Sequence, residues 1–523
     1  MAALPTEEEK DAHVLKGAEQ DKLLEGIPKD EWEKDSLYSL IILGASGDLA
    51  KKKIYPTLWS LYRDNLLPSN TIFVGYARSK LSIADLRKLF EPNCKIIEGQ
   101  EAQFDAFIKQ NVYIAGSYDK EEDFKKLHDE LDERESKVKA GHRVFYLSLP
   151  PFVFDTATQH IRENCWGTRG WNRVVLEKPF GHDLESSRKL SSHLKKLFSE
   201  EEIYRIDHYL GKELVQNLLT LRFANRIFSP AWNNHHVASV LISFKEPIGT
   251  QGRGGYFDEY GIIRDIIQNH LMQIFCLAAM EKPVSLDAED IRDEKVRVLR
   301  RIAPATIENS VLGQYLGNPN GKNEDEKTGY LEDPTVPKGS VTPTFAALVL
   351  KIDNERWEGV PWILRAGKAL NERKAEIRVQ FKNPDGDIMP GNATKRDELV
   401  IRFQPNEAIY LKMMTKTPNS HFGMEETELD LTYSKRYEGV VLAEAYQLLF
   451  LEILRGRQIH FVRNDELEQT WRIFTPLLHQ IENEKIKPID YEFGSRGPRE
   501  ADKLLAENNF VYTGTYKWPG PGK

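Results

Sequence analysis

The sequence predicts two unlike halves: a parallel α/β domain first, then a larger α+β domain with a mostly antiparallel sheet. Three observations predict this. Across about 36–205, buried runs of strand length alternate with helical stretches, the pattern of a parallel α/β sheet. A Gly-rich turn directly follows the first of those runs. Four short strand-like runs then crowd between 377 and 433 with only short loops, which favours antiparallel or mixed pairing. The 523 residues allow two to four domains at roughly 100–200 residues each. The expected divisions are a charged, flexible tail over 1–35, a first domain over 36–205 and a second over 206–523.

In chain order, Leu37–Leu43 is a continuous apolar run and reads as the first strand. Lys52–Asp64 reads as the next helix, with Leu58, Leu61 and Tyr62 as its apolar stripe. Thr71–Tyr76 is a second strand. Asp119–Lys137 is a highly charged helix with one narrow buried stripe of Phe124, Leu127 and Leu131. Arg143–Leu149 is a strand closed by Pro150-Pro151, and Arg173–Leu176 is another closed by Glu177-Lys178-Pro179. In the second half, strands are expected at Val237–Phe244, Phe345–Ile352, Ile377–Phe381, Leu399–Phe403, Ile409–Met413 and Leu429–Tyr433. Helices are expected at about 260–280, 436–455 and 467–482. Tyr315–Pro343 is a long Gly/Asn/Asp/Pro-rich connection, either an ordered surface excursion or a flexible loop.

Composition narrows the function classes. Lys+Arg total 72 against 80 Asp+Glu, a net charge of −8, which disfavours a general nucleic-acid binder. Apolar residues make up 40%, enough for a large core and too many for a disordered chain. No run approaches the roughly 18 apolar residues of a membrane span. Cys94, Cys165 and Cys276 are far apart, odd in number and form no CxxC pair, which suits a reducing compartment. The N-terminus lacks the look of a signal or transit peptide, so the default expectation is a cytosolic protein.

Several segments carry chemistry. Gly44-Ala45-Ser46-Gly47-Asp48-Leu49-Ala50 lies between a buried strand and a helix. There Gly allows a sharp turn and a close approach of backbone to a pyrophosphate at the helix N-terminus. The pattern is GxxGxxA rather than GxGxxG, so a ligand-free strand–turn–helix corner is the other reading. Arg78, just past the second strand, stands where an acid would hold a ribose hydroxyl. An Arg there pairs with a 2′-phosphate and favours NADP over NAD, or else it is a solvated surface Arg. Lys178 follows a strand at the carboxyl end of the sheet, where ligands bind; a plain strand stop is the alternative. Asp207, His208, Tyr209 and Lys212 form the densest polar cluster, suited to a sugar phosphate or to local charge pairing in a linking loop. His270 shares a helical face with Ile266, Ile267, Leu271 and Ile274, so it is a core histidine or a general base. Asp265 lies five positions earlier, about 140° away on an ideal helix, and spacing alone does not join the two. No HxH, HExxH or Cys cluster suggests a metal.

Taken together, these segments resemble the glucose-6-phosphate dehydrogenase family of the pentose phosphate pathway. The matching stretches include GASGDLAKKK (44–53), GYAR (75–78), EKPFG (177–181), RIDHYLGKE (205–213), GRGGYFDEYGIIRDIIQNH (252–270), RAGKALNERK (365–374), GSRGP (494–498) and TGTYKW (513–518). The resemblance implies a Rossmann-like NADP-binding domain and oxidation of glucose 6-phosphate to 6-phosphogluconolactone with NADP as hydride acceptor. It implies His270 as base, oriented by Asp207. Lys178, His208, Tyr209 and Lys212 match the phosphate neighbourhood. Glu246, Asp265, Lys368, Arg373 and Gln404 match the remaining sugar contacts. Gly44–Leu49, Arg78 and Lys178 match the catalytic NADP site. A second, structural NADP is implied at Arg365, Lys374, Arg378, Arg402, Tyr410, Lys412, Asp430, Arg496, Tyr512 and Trp518, along with a homodimer or homotetramer. One departure is visible: Phe154 stands where the family pattern has a Tyr near the cofactor. Two other readings, a sugar oxidoreductase without a phosphate clamp and a non-catalytic NADP sensor, are disfavoured by the Asp207–Lys212 cluster and by the presence of both Asp207 and His270.

Overall fold

The computed structural model describes residues 32–33, 35–386, 388–389, 394–437 and 442–512. The expected tail over 1–35 thus lies outside the described residues, apart from Trp32, Glu33 and Asp35. The chain divides into two compact units. The first comprises Met1–Glu213, Pro283–Val296 and Gly439–Glu468; the second comprises Leu214–Lys282, Arg297–Glu438 and Gln469–Lys523.

The first unit is built on a six-stranded sheet. The apolar run at its start forms β1 (Ser36–Leu43), every residue of which is buried. It is followed by β2 (Thr71–Ala77), β3 (Asn111–Ala115), β4 (Ala140–Leu147), β5 (Asn172–Glu177) and β6 (Ile203–Ile206). All neighbours are parallel, in the order β3-β2-β1-β4-β5-β6. This is the doubly wound arrangement whose switch point, between β1 and β4, opens a crevice at the carboxyl ends of the strands. Two of these strands were not picked out from the sequence, and both are sheet edges. β3 is mostly half-exposed and β6 has only four residues, so neither makes the long buried run that betrays a central strand. The expected first helix is Tyr55–Arg63, and the expected charged helix is Glu121–Glu135, which buries Phe124, Leu127 and Leu131 as anticipated. The unit's core is completed from far along the chain. Leu449, Phe450, Ile453, Leu454 and Phe461 pack into one cluster with Tyr38, Leu40, Leu58 and Tyr146.

The second unit holds a nine-stranded sheet. Its strands are β7 (Val237–Lys245), β8 (Ser310–Leu316), β9 (Phe345–Leu350), β10 (Trp362–Gly367), β11 (Lys374–Phe381), β12 (Glu398–Gln404), β13 (Ala408–Lys416), β14 (Met424–Thr432) and β15 (Ile489–Glu492). Their order is β14-β13-β12-β11-β7-β10-β9-β8-β15, antiparallel except at β7–β10 and β8–β15. The mostly antiparallel expectation holds. β10 is the notable addition: all six residues are buried, but Arg365 and Gly367 interrupt its apolar pattern, so no strand is expected there from the sequence. The stretch from Tyr315 to Pro343 is an ordered excursion. Asp258 accepts hydrogen bonds from the hydroxyls of Tyr330 and Ser340, and Asp333 accepts from Thr250 Oγ1 and Gly254 N at 3.1 Å each. The helix expected over about 436–455 is a short turn, Tyr433–Arg436, and a helix, Ala445–Arg455; 438–441 are not described. Among the described residues, no helix is long and apolar enough to cross a membrane.

Candidate active site

In the first unit, the Gly-rich turn sits at the switch point. Gly44 has φ +87°, a left-handed backbone that Gly adopts without cost. Its N–H donates to Tyr76 O at 2.9 Å, and Gly47 N–H donates back to Gly44 O at 2.8 Å. A Cβ on Gly44 would lie 2.2 Å from the Ser148 carbonyl oxygen at the end of β4, so the turn admits only glycine there. Ala45 is buried, while Ser46, Gly47, Asp48 and Leu49 are half-buried. Asp48 pairs with Lys51 at 2.7 Å and Lys52 at 3.4 Å, and the bond from Lys51 holds its carboxyl below the usual carboxylate range. Arg78, one residue past β2, is exposed, with its guanidinium 5.9 Å from the Tyr118 ring centroid. These residues fit a dinucleotide: a tight turn at a helix start, with cations beside it.

The end of β5 brings in the next group. Glu177 is buried and Lys178 half-buried, and the Lys178–Pro179 peptide is cis. β6 then ends in the polar cluster. Asp207 is 2% exposed and caps the turn His208–Gly211, its Oδ1 accepting Tyr209 N–H at 3.0 Å. His208 and Lys212 are half-buried and Tyr209 is buried, with Lys212 Nζ 5.1 Å from the Tyr209 ring centroid. The structure therefore gathers all four cluster residues on one turn.

In the second unit, His270 is 1% exposed and lies in a π-helix, Ile263–Leu271. Here the ideal-helix expectation fails. A π-helix bonds i→i+5, as Met272 N–H does to Ile267 O, and so stacks residues five apart. Asp265 and His270 thus share a face after all, although the 3.6-residue period separated them. Glu246, 9% exposed just after β7, pairs with Lys368 at 2.6 Å. Burial lowers the Lys368 pKa, but the charges of Glu246 and Asp265 outweigh it and hold the ammonium above its usual range. Lys368 Nζ also lies 5.4 Å from the Phe257 ring centroid. Arg373 is half-buried before β11, and Gln404 is half-buried as the last residue of β12.

A second polar cleft opens on the nine-stranded sheet, lined by Ser243, Lys245, Arg365, Glu372, Lys374, Glu376, Arg378, Arg496 and Tyr512 among others. The strand pairing aligns it: Glu376 lies opposite Ser243 on one side and Arg402 on the other, and Arg365 opposite Ser243. Among the described residues, the buried Nε atoms of Arg365 and Arg496 find no acceptor. Arg378 is tied to Glu376 and Glu398 at 2.7 Å each, Lys412 pairs with Glu426 at 3.3 Å, and Arg496 stacks 3.9 Å from the Tyr512 ring centroid. Tyr410 is buried on β13, opposite exposed Asp430 on β14. Trp518 lies outside the described residues.

A family model for the glucose-6-phosphate dehydrogenase NAD binding domain matches residues 41–217, and one for the C-terminal domain matches 219–518. The chain belongs to the glucose-6-phosphate dehydrogenase family. It is similar to the glucose-6-phosphate 1-dehydrogenase of Drosophila melanogaster, 59% identical over 483 residues and 92% of each chain. Among solved structures it resembles a glucose-6-phosphate dehydrogenase in complex with its substrate glucose-6-phosphate, at 46% identity and a TM-score of 0.87 over 92% of this chain and 99% of that one. It also resembles the enzyme from Mycobacterium avium, at 30% identity and a TM-score of 0.78 over 92% and 100% of the two chains.

The structure places the departure seen at Phe154 and adds one contact that the sequence does not show. Phe154 begins the helix Phe154–Asn164 and is fully buried, so no hydroxyl is presented there. Glu177 accepts hydrogen bonds from the hydroxyls of Tyr146 and Tyr446, the latter at 3.1 Å. The only sequence signal for that contact was an acid ending a buried strand, and Tyr446 lies too far along the chain for any pattern to pair them.

Proposed function

We propose that this chain oxidises D-glucose 6-phosphate to 6-phospho-D-glucono-1,5-lactone with reduction of NADP, using His270 as the base. When bound, NADP supplies the hydride acceptor. His270 takes the proton from the C1 hydroxyl as the hydride leaves the same carbon. Asp207 holds the imidazole in the tautomer that accepts this proton and balances the imidazolium that forms. Lys178, His208, Tyr209 and Lys212 grip the phosphate, cationic and neutral donors matching its dianionic head. Glu246, Asp265, Lys368, Arg373 and Gln404 hold the sugar hydroxyls. Gly44, Ala45, Ser46, Gly47, Asp48 and Leu49 cradle the dinucleotide, Lys178 borders it, and Arg78 pairs with the 2′-phosphate that distinguishes NADP.

The observation that carries the overall reading is the match, along nine-tenths of the chain, to a structure solved with glucose 6-phosphate. The roles of individual residues rest on the chemistry of each side chain. His270→Asn tests the central one. We expect kcat to fall about 10²–10⁴-fold with KM for the sugar phosphate nearly unchanged. A large rise in KM at unchanged kcat would instead make His270 a binding residue.

A second, structural NADP is proposed at Arg365, Lys374, Arg378, Arg402, Tyr410, Lys412, Asp430, Arg496 and Tyr512, with Trp518 as a further contact from outside the described residues. The acceptor-less Nε atoms of Arg365 and Arg496 support an anionic occupant. Homodimer or homotetramer assembly is proposed with it. The support is β14, the edge of the nine-stranded sheet, which exposes 62% of Leu429 and 36% of Leu431. A cytosolic location is proposed on the odd, scattered cysteines. The domain limits 36–205 and 206–523 remain our proposal for the functional division.

A further inference from the structure

The phosphate cluster has a neighbour that none of the residues assigned above accounts for. Tyr446, near the start of the helix Ala445–Arg455, stands with its ring parallel to the His208 imidazole, at 12° and 5.9 Å between centroids. Its hydroxyl donates to Oε1 of Glu177 at 3.1 Å, and the Tyr146 hydroxyl donates to the same oxygen. Glu177 is buried at the end of β5, so this oxygen is a fixed anchor. His208 also faces Tyr209, at 5.1 Å between centroids. The imidazole therefore has two rings beside it, a tilted one on its own turn and a parallel one held by Glu177.

We propose that Tyr446, tethered by Glu177, is a positioning residue that fixes the His208 ring for the phosphate and so contributes to preference for the phosphorylated sugar. The inference rests on the assignment of His208 to the phosphate made above. A half-buried imidazole on a short turn has rotamers to lose on binding; a ring stacked against it removes that cost in advance. Burial and the charge of Glu177 push the Tyr446 phenol well above its ordinary pKa, so its hydroxyl remains a donor throughout the working range. Burial likewise raises the Glu177 carboxyl, against the two tyrosine donors.

Steady-state kinetics with glucose 6-phosphate and with free glucose test this. Tyr446→Leu removes ring and tether; Tyr446→Phe keeps the ring and loses the tether. For Tyr446→Leu, kcat/KM for glucose 6-phosphate should fall about two- to twelve-fold, the worth of one aromatic pair, through KM rather than kcat. Activity on free glucose should stay the same. Tyr446→Phe and Glu177→Gln should each give a smaller loss in the same direction. In a His208→Ala background, Tyr446→Leu should have no further effect. Equal losses on both sugars, or the same loss with and without His208, would overturn the inference. If His208→Ala lowers the preference for phosphorylated sugar and Tyr446→Leu does not, the inference alone falls. If His208→Ala leaves that preference unchanged, the phosphate assignment falls and takes the inference with it.

Discussion

Gly44→Ala adds one methyl group to the dinucleotide turn, and its effect can be worked out from the structure. The new Cβ would lie 2.2 Å from Ser148 O, 3.0 Å from Ser148 C and 3.1 Å from Leu149 Cδ2. A carbon and an oxygen in weak contact sit about 3.3 Å apart, so the two segments must part by roughly 1 Å. They are poorly able to do so. β1 and β4 pair at eight consecutive positions, and Ser148 N–H donates to Leu43 O at 2.9 Å. Overpacking of this kind costs about 1–3 kcal/mol. The left-handed backbone adds about 1–2 kcal/mol for a residue with a Cβ. Gly99→Ala supplies the control: its φ is +89°, but nothing lies within 4 Å of the added carbon. It should lose only the backbone term. Gly44→Ala should therefore melt lower than Gly99→Ala by roughly 2–12 °C. It should also raise KM for NADP about tenfold or more, since a shift near 1 Å misplaces the backbone donors. Gly99→Ala should leave that KM alone. Equal melting temperatures and equal KM for the two variants would refute the reasoning.

Three further outcomes are expected. Lys368→Met should cost about 3 kcal/mol in denaturant unfolding, because it strands Glu246 in a pair whose side chains are only 13% and 12% exposed; Glu246→Gln should cost less, since the Asp265 charge still supports the ammonium, and the double variant should cost less than Lys368→Met alone. His460 is held down to about 4 by burial and by Lys295 and Arg457. A lowered base contributes stability that is complete above its unfolded value of about 6.5 and is lost as pH falls toward 4. The loss is at most about 3 kcal/mol, reduced by the 19% of the side chain left exposed, and His460→Asn should flatten the melting temperature across that range. Exhaustive dialysis against NADP-free buffer should lower the melting temperature and added NADP restore it, while Arg365→Met should recover less, keeping only the stabilisation that NADP gives at the Gly44 turn.

How much of this was legible from the residues varies with locality. The Gly44 turn, the Asp207–Lys212 cluster and the central strands β1, β2, β4 and β5 are contiguous in sequence, and contiguous patterns can be read directly. β10 was hidden because Arg365 is a buried cation in a fully buried strand, which a scan for apolar runs discards. The common face of Asp265 and His270 was missed because the segment winds as a π-helix, and a period of 3.6 puts them apart. The Glu177–Tyr446 contact joins residues 269 positions apart, and only tertiary structure brings them together. The two tyrosines around Glu177 are ordinary residues in ordinary places; nothing in their neighbours marks them.

The first unit is assembled from three separated stretches of chain, and this has a consequence for how the protein is made. The helix Ala445–Arg455, whose Leu449, Phe450 and Ile453 complete that unit's core, emerges about 230 residues after Glu213. At 5–20 residues per second, the nascent sheet waits roughly 12–46 s with an apolar face still uncovered. The ribosome thus holds an unfinished domain while some two-fifths of the chain is made, so a truncation before residue 445 leaves it with a permanently open side. Chaperone dependence, protease sensitivity and the effect of late premature stops should all track that interval.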